Sequence, residues 1–399
     1  MYLRQAILKQ LLKTPMSLSD IQKVTKASMP TVRRAVQTLT DSKWIGVSGH
    51  AEANGGRPAM LFDIDNSYYM VFGLHLQLPG LSLIATDLSG NILKRIGLSR
   101  GLIPDPNQVI RDVAESISEI KKMFPNRQAL GLGIAAPGFI DLTSGDIIAI
   151  GRAPNWENFP ICKHLSEATG LPVDIANDVD CMAIVEFADE EEPIEKNLSY
   201  VAFCEGIKAS LMLKGELYKG TLGNVGLISP NLLNICNPYN QEEMERIVTS
   251  LGFSEVFRER VQRLTPDDQK LYESITHLEN HKEQFSLIAE QALDDKNLCF
   301  SMITELFRFL SVATANLILI IQPDEIVFGG LLSSMPNELF LDLEKAVRKN
   351  IPSLINNNLI IKKGVAGSRD VAAIGATHHF LRENLLAILK EQKQTTLAS

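Results

Sequence analysis

The chain has 399 residues, of which 45% are hydrophobic and 22% charged, and its net charge is −8. This composition is typical of a soluble globular protein of two or three domains. No apolar run reaches the roughly 18 residues of a membrane span, and Arg4, Lys9 and Lys13 interrupt any apolar core of a signal peptide. The five cysteines are scattered without a CxxC pair, so we expect a cytoplasmic protein with reduced thiols.

The charge is distributed unevenly along the chain. Residues 1–62 contain nine Lys or Arg and three acidic residues, a net charge of +6, so the remaining residues carry −14. A basic segment joined to an acidic body favours nucleic-acid contact confined to the N-terminus. A chance imbalance of surface charge is the alternative.

Three helices are predicted before residue 45. Residues 4–13 and 19–24 predict the first two. The third begins at Ser28, a suitable N-cap, and has Pro30 in its first turn, where a missing N–H costs nothing. This order of helix, short helix, turn and helix is that of a helix-turn-helix.

The third helix has a polar outer surface that suits DNA. Its apolar residues recur at three- and four-residue steps, while Thr31, Arg33, Arg34 and Gln37 fall on other faces. Arg and Gln read base edges through paired hydrogen bonds, and Thr and Arg also hold phosphates. Three-helix packing alone would explain the apolar spacing, but the basic charge and the polar outer face favour DNA binding.

A small β wing is predicted after the third helix. Two strands, at 44–47 and 59–64, flank a glycine-rich tip at 49–58. Arg57 lies in the tip, where it either reaches DNA or packs against the next domain. We therefore predict a winged helix-turn-helix domain over residues 1–66.

From residue 67 the pattern changes to alternating strands and helices, which is typical of an α/β fold. A first lobe is predicted over 67–196, and a second lobe with a helical insert over 197–391. A polar tail is predicted at 392–399. The first lobe's predicted strands are 70–78, 81–87, 91–98, 129–135 and 173–176, with a short strand pair within 145–151, and its helices are 107–124, 162–169 and 179–187. In the second lobe the helix at 300–320 is expected to be buried, and His378 and His379 are expected to lie at the surface or at an interface.

Five motifs in this order resemble those of the ROK family, which contains sugar kinases and sugar-responsive repressors. They are Gly55-Gly56-Arg57-Pro58 after the wing, the strand and turn Gly131–Gly138, Pro154-Asn155-Trp156, Leu171-Pro172-Val173 followed by Asn177-Asp178, and Ile326–Gly330. The resemblance implies a two-lobed, actin-like or ribonuclease H-like sugar-kinase fold. The repressor members place a winged helix before that body, as this sequence does.

Both phosphate-binding loops of the family's kinases are altered here. The loop of the form D-x-GGT aligns with His75-Leu76-Gln77-Leu78-Pro79, and the second loop aligns with residues 204–210, where one glycine of four remains. Phosphate-cradling backbone needs glycine, and Pro79 has no N–H to donate. Glu205 in the second loop would repel a triphosphate. We therefore expect no phosphoryl transfer, no catalytic residue and no cofactor.

The family's zinc pattern is also absent. Its histidine aligns with Leu227, and of its cysteines only Cys236 remains. Because structural zinc needs about four nitrogen or sulfur ligands, we expect no metal.

The family's sugar-contacting Asn-Asp pair is retained as Asn177 and Asp178. A carboxylate beside an amide suits neighbouring hydroxyl groups, although Asn-Asp before a helix is also an N-cap. The family's Glu in the GE-x-GH stretch aligns with Asn224, and Glu243 aligns with a further sugar-contacting Glu. The ligand contacts that the resemblance implies are Gly138, Asn155, Asn177, Asp178, Asn224 and Glu243.

These observations favour a DNA-binding transcriptional regulator, of the repressor kind, that binds double-stranded operator DNA as a homodimer or dimer of dimers. Its kinase-like body would sense a sugar or sugar derivative, and the ligand would alter the spacing of two recognition helices through the connection at 63–69. Two alternatives remain open: a sugar kinase with a DNA-binding module, and a DNA-binding protein whose body is a ligand-independent scaffold.

Overall fold

The computed structural model describes residues 2–50, 58–77, 80–98, 104–151, 153–188, 196–228, 246–294, 296–364 and 370–398, with side chains up to residue 390. The chain divides into two compact units. The first contains Met1–Cys181 together with Ala372–Ser399, and the second contains Met182–Val371.

The N-terminal part of the first unit has three helices and a three-stranded antiparallel sheet. Its elements are α1 (Tyr2–Leu11), β1 (Met16–Ser17), α2 (Leu18–Thr25), α3 (Met29–Asp41), β2 (Ile45–His50) and β3 (Met60–Ile64), with the strands in the order β1-β3-β2. Ser17 and Asp20 form a capping box at the start of α2. Ser28 caps α3 by accepting a hydrogen bond from the Thr31 N–H. The short strand β1 is an addition to the predicted elements.

The rest of the first unit is built on a five-stranded sheet in the order β10-β7-β4-β5-β6, in which β10, β7 and β4 run parallel and β5 and β6 are antiparallel to their neighbours. Its elements are β4 (Tyr69–Leu76), β5 (Leu81–Thr86), β6 (Ile92–Leu98), α4 (Pro106–Met123), β7 (Gln128–Ala136), β8 (Phe139–Asp141), β9 (Asp146–Ala149), a 3-10 turn (Pro154–Trp156), α5 (Ile161–Thr169), β10 (Val173–Asn177) and α6 (Asp178–Ala188). The predicted short strand pair is β8 with β9, so its first strand lies before the predicted range.

The second unit contains a five-stranded sheet in the order β15-β14-β11-β12-β13, in which β15, β14 and β11 run parallel and β12 and β13 are antiparallel to their neighbours, as in the first sheet. Its elements are β11 (Leu198–Phe203), β12 (Ile207–Leu213), β13 (Glu216–Leu217), α7 (Ser250–Gln262), α8 (Pro266–Lys270), α9 (Glu273–Thr276), α10 (His281–Gln291), α11 (Leu298–Ile321), β14 (Glu325–Gly330), a 3-10 turn (Leu331–Ser334), α12 (Asn337–Lys349), α13 (Ser353–Asn356) and β15 (Ile360–Lys363). The final helix, α14 (Val371–Ala398), follows.

Helix α11 lies in the core of the second unit. Within the described ranges it is the one helix long and apolar enough to cross a membrane, yet more than half of its apolar stretch is buried inside the protein. Its last turn differs from the prediction, because Leu319 and Ile320 are exposed.

The final helix departs from the sequence analysis in three respects. It continues to Ala398, where a polar tail was predicted from residue 392. Its residues from Ala372 belong to the first unit, whereas the predicted boundary assigns residues up to 391 to the second lobe. His379 is buried inside the first unit rather than lying at its surface, and it is 3.5 Å from the Asp174 carboxylate. Local sequence patterns predict that a helix forms but not which sheet it packs on.

Candidate DNA-binding and effector sites

Helix α3 buries one side and presents the predicted polar residues on the other. Val32, Ala35, Val36 and Leu39 are buried, whereas Thr31, Arg33, Arg34 and Gln37 are all exposed. A buried apolar side fixes the helix in place and leaves its outer side available to a partner.

The two arginines are the uncommitted cations of that surface. Neither Arg33 nor Arg34 forms an ion pair with a residue that the structure describes. Thr31 and Gln37 are engaged locally: the Thr31 hydroxyl lies 2.7 Å from that of Ser28, and Gln37 Nε2 donates to Asp41 Oδ1 at 2.7 Å. Base recognition by Gln37 therefore requires exchange of its partner. Arg57 lies outside the described residues.

The N-terminal helices pack on the sheet that follows them. The rings of Trp44 and Tyr69 are 4.6 Å apart, and the Tyr69 hydroxyl donates to the Ser42 carbonyl at 2.8 Å. Arg127 secures the connecting segment by donating to the carbonyls of Asn66 and Tyr69. These contacts tie the segment after α3 to strand β4.

Helix α14 joins the same hydrophobic cluster, a contact that the sequence analysis missed. Leu381, Leu385, Ile388 and Leu389 of α14 share a buried cluster with Ile7, Leu8, Leu11, Trp44 and Ile64 of the N-terminal elements. Leucine and isoleucine at three- and four-residue spacing mark an apolar helix side, but this signal does not reveal its partner.

The predicted effector residues of the first unit gather at one edge of its sheet. Strands β4, β7 and β10 are parallel neighbours, so their carboxyl ends lie together, which is where α/β proteins bind ligands. His75 is the second-last residue of β4, Gly138 follows β7, and Asn177 and Asp178 join β10 to α6. Gly138 has a φ of +84°, and a side chain there would collide with the Ala149 backbone, so its glycine is structurally required.

Asn177 and Asp178 are largely committed to the backbone around them. Both side chains accept the Val179 N–H, at 3.0 Å from Asn177 Oδ1 and 2.8 Å from Asp178 Oδ1. Asn177 Nδ2 donates to the Gly138 carbonyl at 3.3 Å. The capping role that the sequence allowed is therefore present. Of the side-chain oxygens of the pair, only Asp178 Oδ2 does not accept the Val179 N–H.

His75 lies opposite that oxygen. Its Nε2 is 4.0 Å from Asp178 Oδ2, and the two side chains are only 4% and 8% exposed. Sequence reasoning placed His75 in an altered phosphate loop and gave it no role, because the approach of β4 to the start of α6 is a tertiary contact.

The other predicted ligand contacts are dispersed. Asn155 is exposed and donates to the Pro104 carbonyl, which also accepts from the Trp156 indole, so its described partner is structural. Asn224 lies in the second unit after β13, and its amide donates to the Leu222 carbonyl at 2.8 Å. Glu243 lies outside the described residues.

The altered phosphate loop of the second unit contains a charge cluster. Glu205 Oε1 is 3.6 Å from Lys282 Nζ and 3.9 Å from His281 Nε2. Burial lowers the pKa of His281 to about 4, and the nearby Lys282 and Arg258 act in the same direction. The His281 ring is therefore neutral near pH 7.

The described part of the chain holds no group of three or more His, Cys, Asp or Glu side chains arranged to bind a metal ion. Leu227, at the position of the family's zinc-binding histidine, is partly exposed. Cys236 lies outside the described residues, so the predicted lack of zinc stays a prediction.

Helix α14 also contacts the strand that carries Asn177. Asp174 of β10 receives the Asn384 amide at 3.2 Å and lies 3.5 Å from His379. At Gly375 the helix meets the Cys181 backbone of α6 so closely that a side chain there would collide with it. One helix thus contacts both the Asn177–Asp178 segment's neighbours and the N-terminal helices.

Comparison with solved structures defines the fold class. A ROK family transcriptional regulator, a homologue of the E. coli MLC protein, superposes with a TM-score of 0.74 at 21% identity, over 94% of each chain. A ROK hexokinase from Thermus thermophilus superposes with a TM-score of 0.57 at 20% identity, over 77% of this chain and 96% of its own. The α/β body therefore has the fold of sugar kinases.

The family follows from the sequence comparison. The model of the ROK family matches residues 80–383, and this chain belongs to that family. A xylose repressor from Caldicellulosiruptor bescii is 23% identical over 334 residues, which cover 82% of each chain. The resemblance inferred from the five motifs is thereby confirmed.

Proposed function

We propose that this protein is a transcriptional repressor that binds operator DNA through a winged helix-turn-helix over residues 1–66 and responds to a sugar. One observation carries the DNA-binding part: α3 exposes Arg33 and Arg34, which have no ion-pair partner among the described residues, on a helix whose other side is buried. The xylose repressor relative and the regulator that matches over the full chain support the same function.

Phosphoryl transfer is not part of this proposal. The carboxylate of Glu205 occupies the second phosphate loop and lies beside Lys282 and His281. A carboxylate at that position repels a triphosphate and pairs with Lys282, the neighbouring cation. A sugar kinase remains the second candidate, because the body shares the fold of the hexokinase.

The path from sugar to DNA follows helix α14. Its 28 residues extend about 40 Å at 1.5 Å per residue. One part of the helix contacts Asp174 and Cys181, which flank the Asn177–Asp178 pair, and the other packs against α1 and Trp44. A shift of β10 or α6 on ligand binding would therefore move α14, on which the N-terminal helices pack. Coupling through such a packed element requires that the ligand favour one arrangement of the helix.

The DNA-binding test uses the full chain and DNA from upstream of its own gene, followed by fluorescence anisotropy at several salt concentrations. Each of Arg33→Ala and Arg34→Ala should weaken specific binding by about ten- to a hundredfold if the arginine contacts a base, or reduce the salt slope by about one if it contacts a phosphate. Lys345→Ala is the matched control, because Lys345 is an exposed cation of the second unit, paired with Asp342 at 3.0 Å. Unchanged binding in both arginine variants would exclude α3 as the recognition helix.

The same preparation separates the remaining possibilities. Operator affinity that changes with one sugar supports sugar sensing, and affinity indifferent to all sugars supports the scaffold alternative. Sugar-dependent release of ADP would establish the kinase instead. Light scattering tests the expected homodimer, which two operator half-sites about one helical turn apart require.

A further inference from the structure

His75 and Asp178 are buried side chains that face each other at the carboxyl edge of the first sheet. His75 Nε2 faces Asp178 Oδ2 at 4.0 Å, which is too long for a hydrogen bond. His75 Nδ1 is also buried and has no partner in the described part of the chain. Buried polar groups without partners are uncommon in folded proteins, and each calls for an explanation such as a bound water, an ion or a functional role.

The neighbouring groups do not share this property. The Val179 N–H satisfies Asn177 Oδ1 and Asp178 Oδ1, and the Gly138 carbonyl satisfies the Asn177 amide. The helix cap therefore accounts for every polar atom of the pair except Asp178 Oδ2. What remains for a ligand is one carboxylate oxygen and the imidazole opposite.

We propose that His75 is an effector-contact residue that, together with Asp178, holds one free hydroxyl group of an unphosphorylated sugar. This inference rests on the sugar sensing proposed above. The hydroxyl donates its proton to Asp178 Oδ2, and its oxygen accepts a hydrogen bond from His75 Nε2–H. The Asp178 carboxylate favours the histidine tautomer that carries the proton on Nε2.

The geometry suits a single hydroxyl. An oxygen about 2.8 Å from both atoms forms an open triangle with their 4.0 Å separation. The hydroxyl then uses one donor and one acceptor function, and the facing atoms His75 Nε2 and Asp178 Oδ2 each gain a partner.

The pair discriminates against a phosphate ester at that hydroxyl. The ester has no O–H to donate to Asp178 Oδ2, and its negative charge would lie beside the carboxylate. Sites built to bind a hydroxyl reject analogues that leave their buried polar groups unpaired. The effector class is therefore a neutral sugar with a free hydroxyl at this position, rather than its phosphate.

The test measures sugar binding to the full chain by titration calorimetry. The probes are D-xylose, D-glucose, D-mannose and N-acetylglucosamine, with D-glucose 6-phosphate and D-glucose 1-phosphate as the esters. His75→Leu should lower the affinity for whichever sugar the wild-type protein binds by about ten- to a hundredfold. His75→Gln, whose Nε2 extends to nearly the same place as that of histidine, should stay within about threefold.

The matched control is Thr86→Val in β5 of the same sheet. Thr86 is fully buried and its hydroxyl, like His75 Nδ1, has no partner within the described ranges. This variant should bind sugar as the wild type does. Thermal unfolding of each variant verifies that the first unit is folded at the temperature of the titration.

Each outcome decides between the two proposals. Sugar binding that is unchanged in His75→Leu, or both esters binding more tightly than the free sugar, would overturn the role of His75 and leave sugar sensing intact. Wild-type protein that binds its operator but none of the probes would overturn sugar sensing, and the role of His75 with it. Weakened binding in His75→Leu together with near-normal binding in His75→Gln supports the proposed contact of His75 and Asp178 with one sugar hydroxyl.

Discussion

Leu385→Ala tests whether helix α14 supports the N-terminal helices proposed to bind DNA. Leu385 is 5% exposed in the cluster shared with α1 and Trp44. It borders a small cavity of about 20 Å³, which is also lined by Leu8, Trp44 and Leu381. Truncation to alanine removes buried carbon atoms and enlarges this cavity.

The expected loss of stability is about 2–3 kcal/mol. Buried leucine-to-alanine substitutions cost about 2–5 kcal/mol, rising with the cavity that remains. The cluster lies near the surface, since Leu12 beside the cavity is 45% exposed. Neighbouring side chains can therefore relax, so we expect the lower part of that range.

Urea unfolding monitored by tryptophan fluorescence is the assay. Both tryptophans, Trp44 and Trp156, belong to the first unit, so the signal follows the unit that is altered. Met123→Ala is the matched control, because Met123 is 54% exposed in the first unit and its truncation should cost less than about 0.5 kcal/mol.

The functional readout separates support from signalling. If α14 transmits the sugar signal, Leu385→Ala should also reduce the change in operator affinity that the sugar causes. A loss below about 1 kcal/mol would refute the packing argument. A loss of the expected size with an unchanged sugar response would leave α14 as a structural support only.

Three further substitutions test particular contacts. Tyr69→Phe removes the hydroxyl that donates to the Ser42 carbonyl at 2.8 Å, and it should lower the free energy of unfolding by about 1 kcal/mol in the same urea assay. Equal stability of variant and wild type would show that this hydrogen bond does not stabilise the fold. Lys362→Met removes the cation that lies 3.0 Å from Glu325 and 3.8 Å from Glu186, two buried carboxylates. Because Lys196 still neutralises Glu325, the variant should lose only about 2–4 kcal/mol of stability in thermal unfolding at pH 7. Unchanged stability would show that the ion pairs of Lys362 are dispensable. The folded-state pKa of His281 is about 4, below its unfolded value of about 6.5. The stability that neutral His281 contributes should therefore be fully present above pH 6.5 and fall by up to about 3 kcal/mol toward pH 4. His281→Gln should flatten this pH dependence, and an unchanged slope would show that other groups cause it.

The sequence predicted the elements whose determinants are local. Ser28 and Pro30 mark the start of α3, and the spacing of its apolar residues identifies the side that the structure buries. The glycine-containing strand before Gly138 and the Asn177–Asp178 pair identified two of the three strand ends that meet at the sheet edge. Caps, periodicity and turn residues act within a few positions of each other, so they can be recognised without the fold.

The placement of α14 could not be predicted in this way. Its apolar positions fit any helix with a buried side, and its sequence position after the second lobe suggested that it belongs there. The deciding features are close approaches between distant segments, such as Gly375 against the Cys181 backbone. Asp174 of β10 also fixes the position of α14, because its carboxylate accepts a hydrogen bond from Asn384 and lies 3.5 Å from His379.

His75 illustrates the same limit at the candidate site, with a consequence for function. Alignment of its segment with a phosphate loop indicates only what has been lost, since a histidine replaces an aspartate and glycines are missing. The structure adds that this histidine faces Asp178 across 4.0 Å. Two carboxylates at such a distance would repel each other and favour a cation, whereas an imidazole and a carboxylate present one donor and one acceptor to a neutral hydroxyl. A histidine at this position therefore fits the proposed contact with the hydroxyl group of an unmodified sugar better than it fits a metal–nucleotide complex.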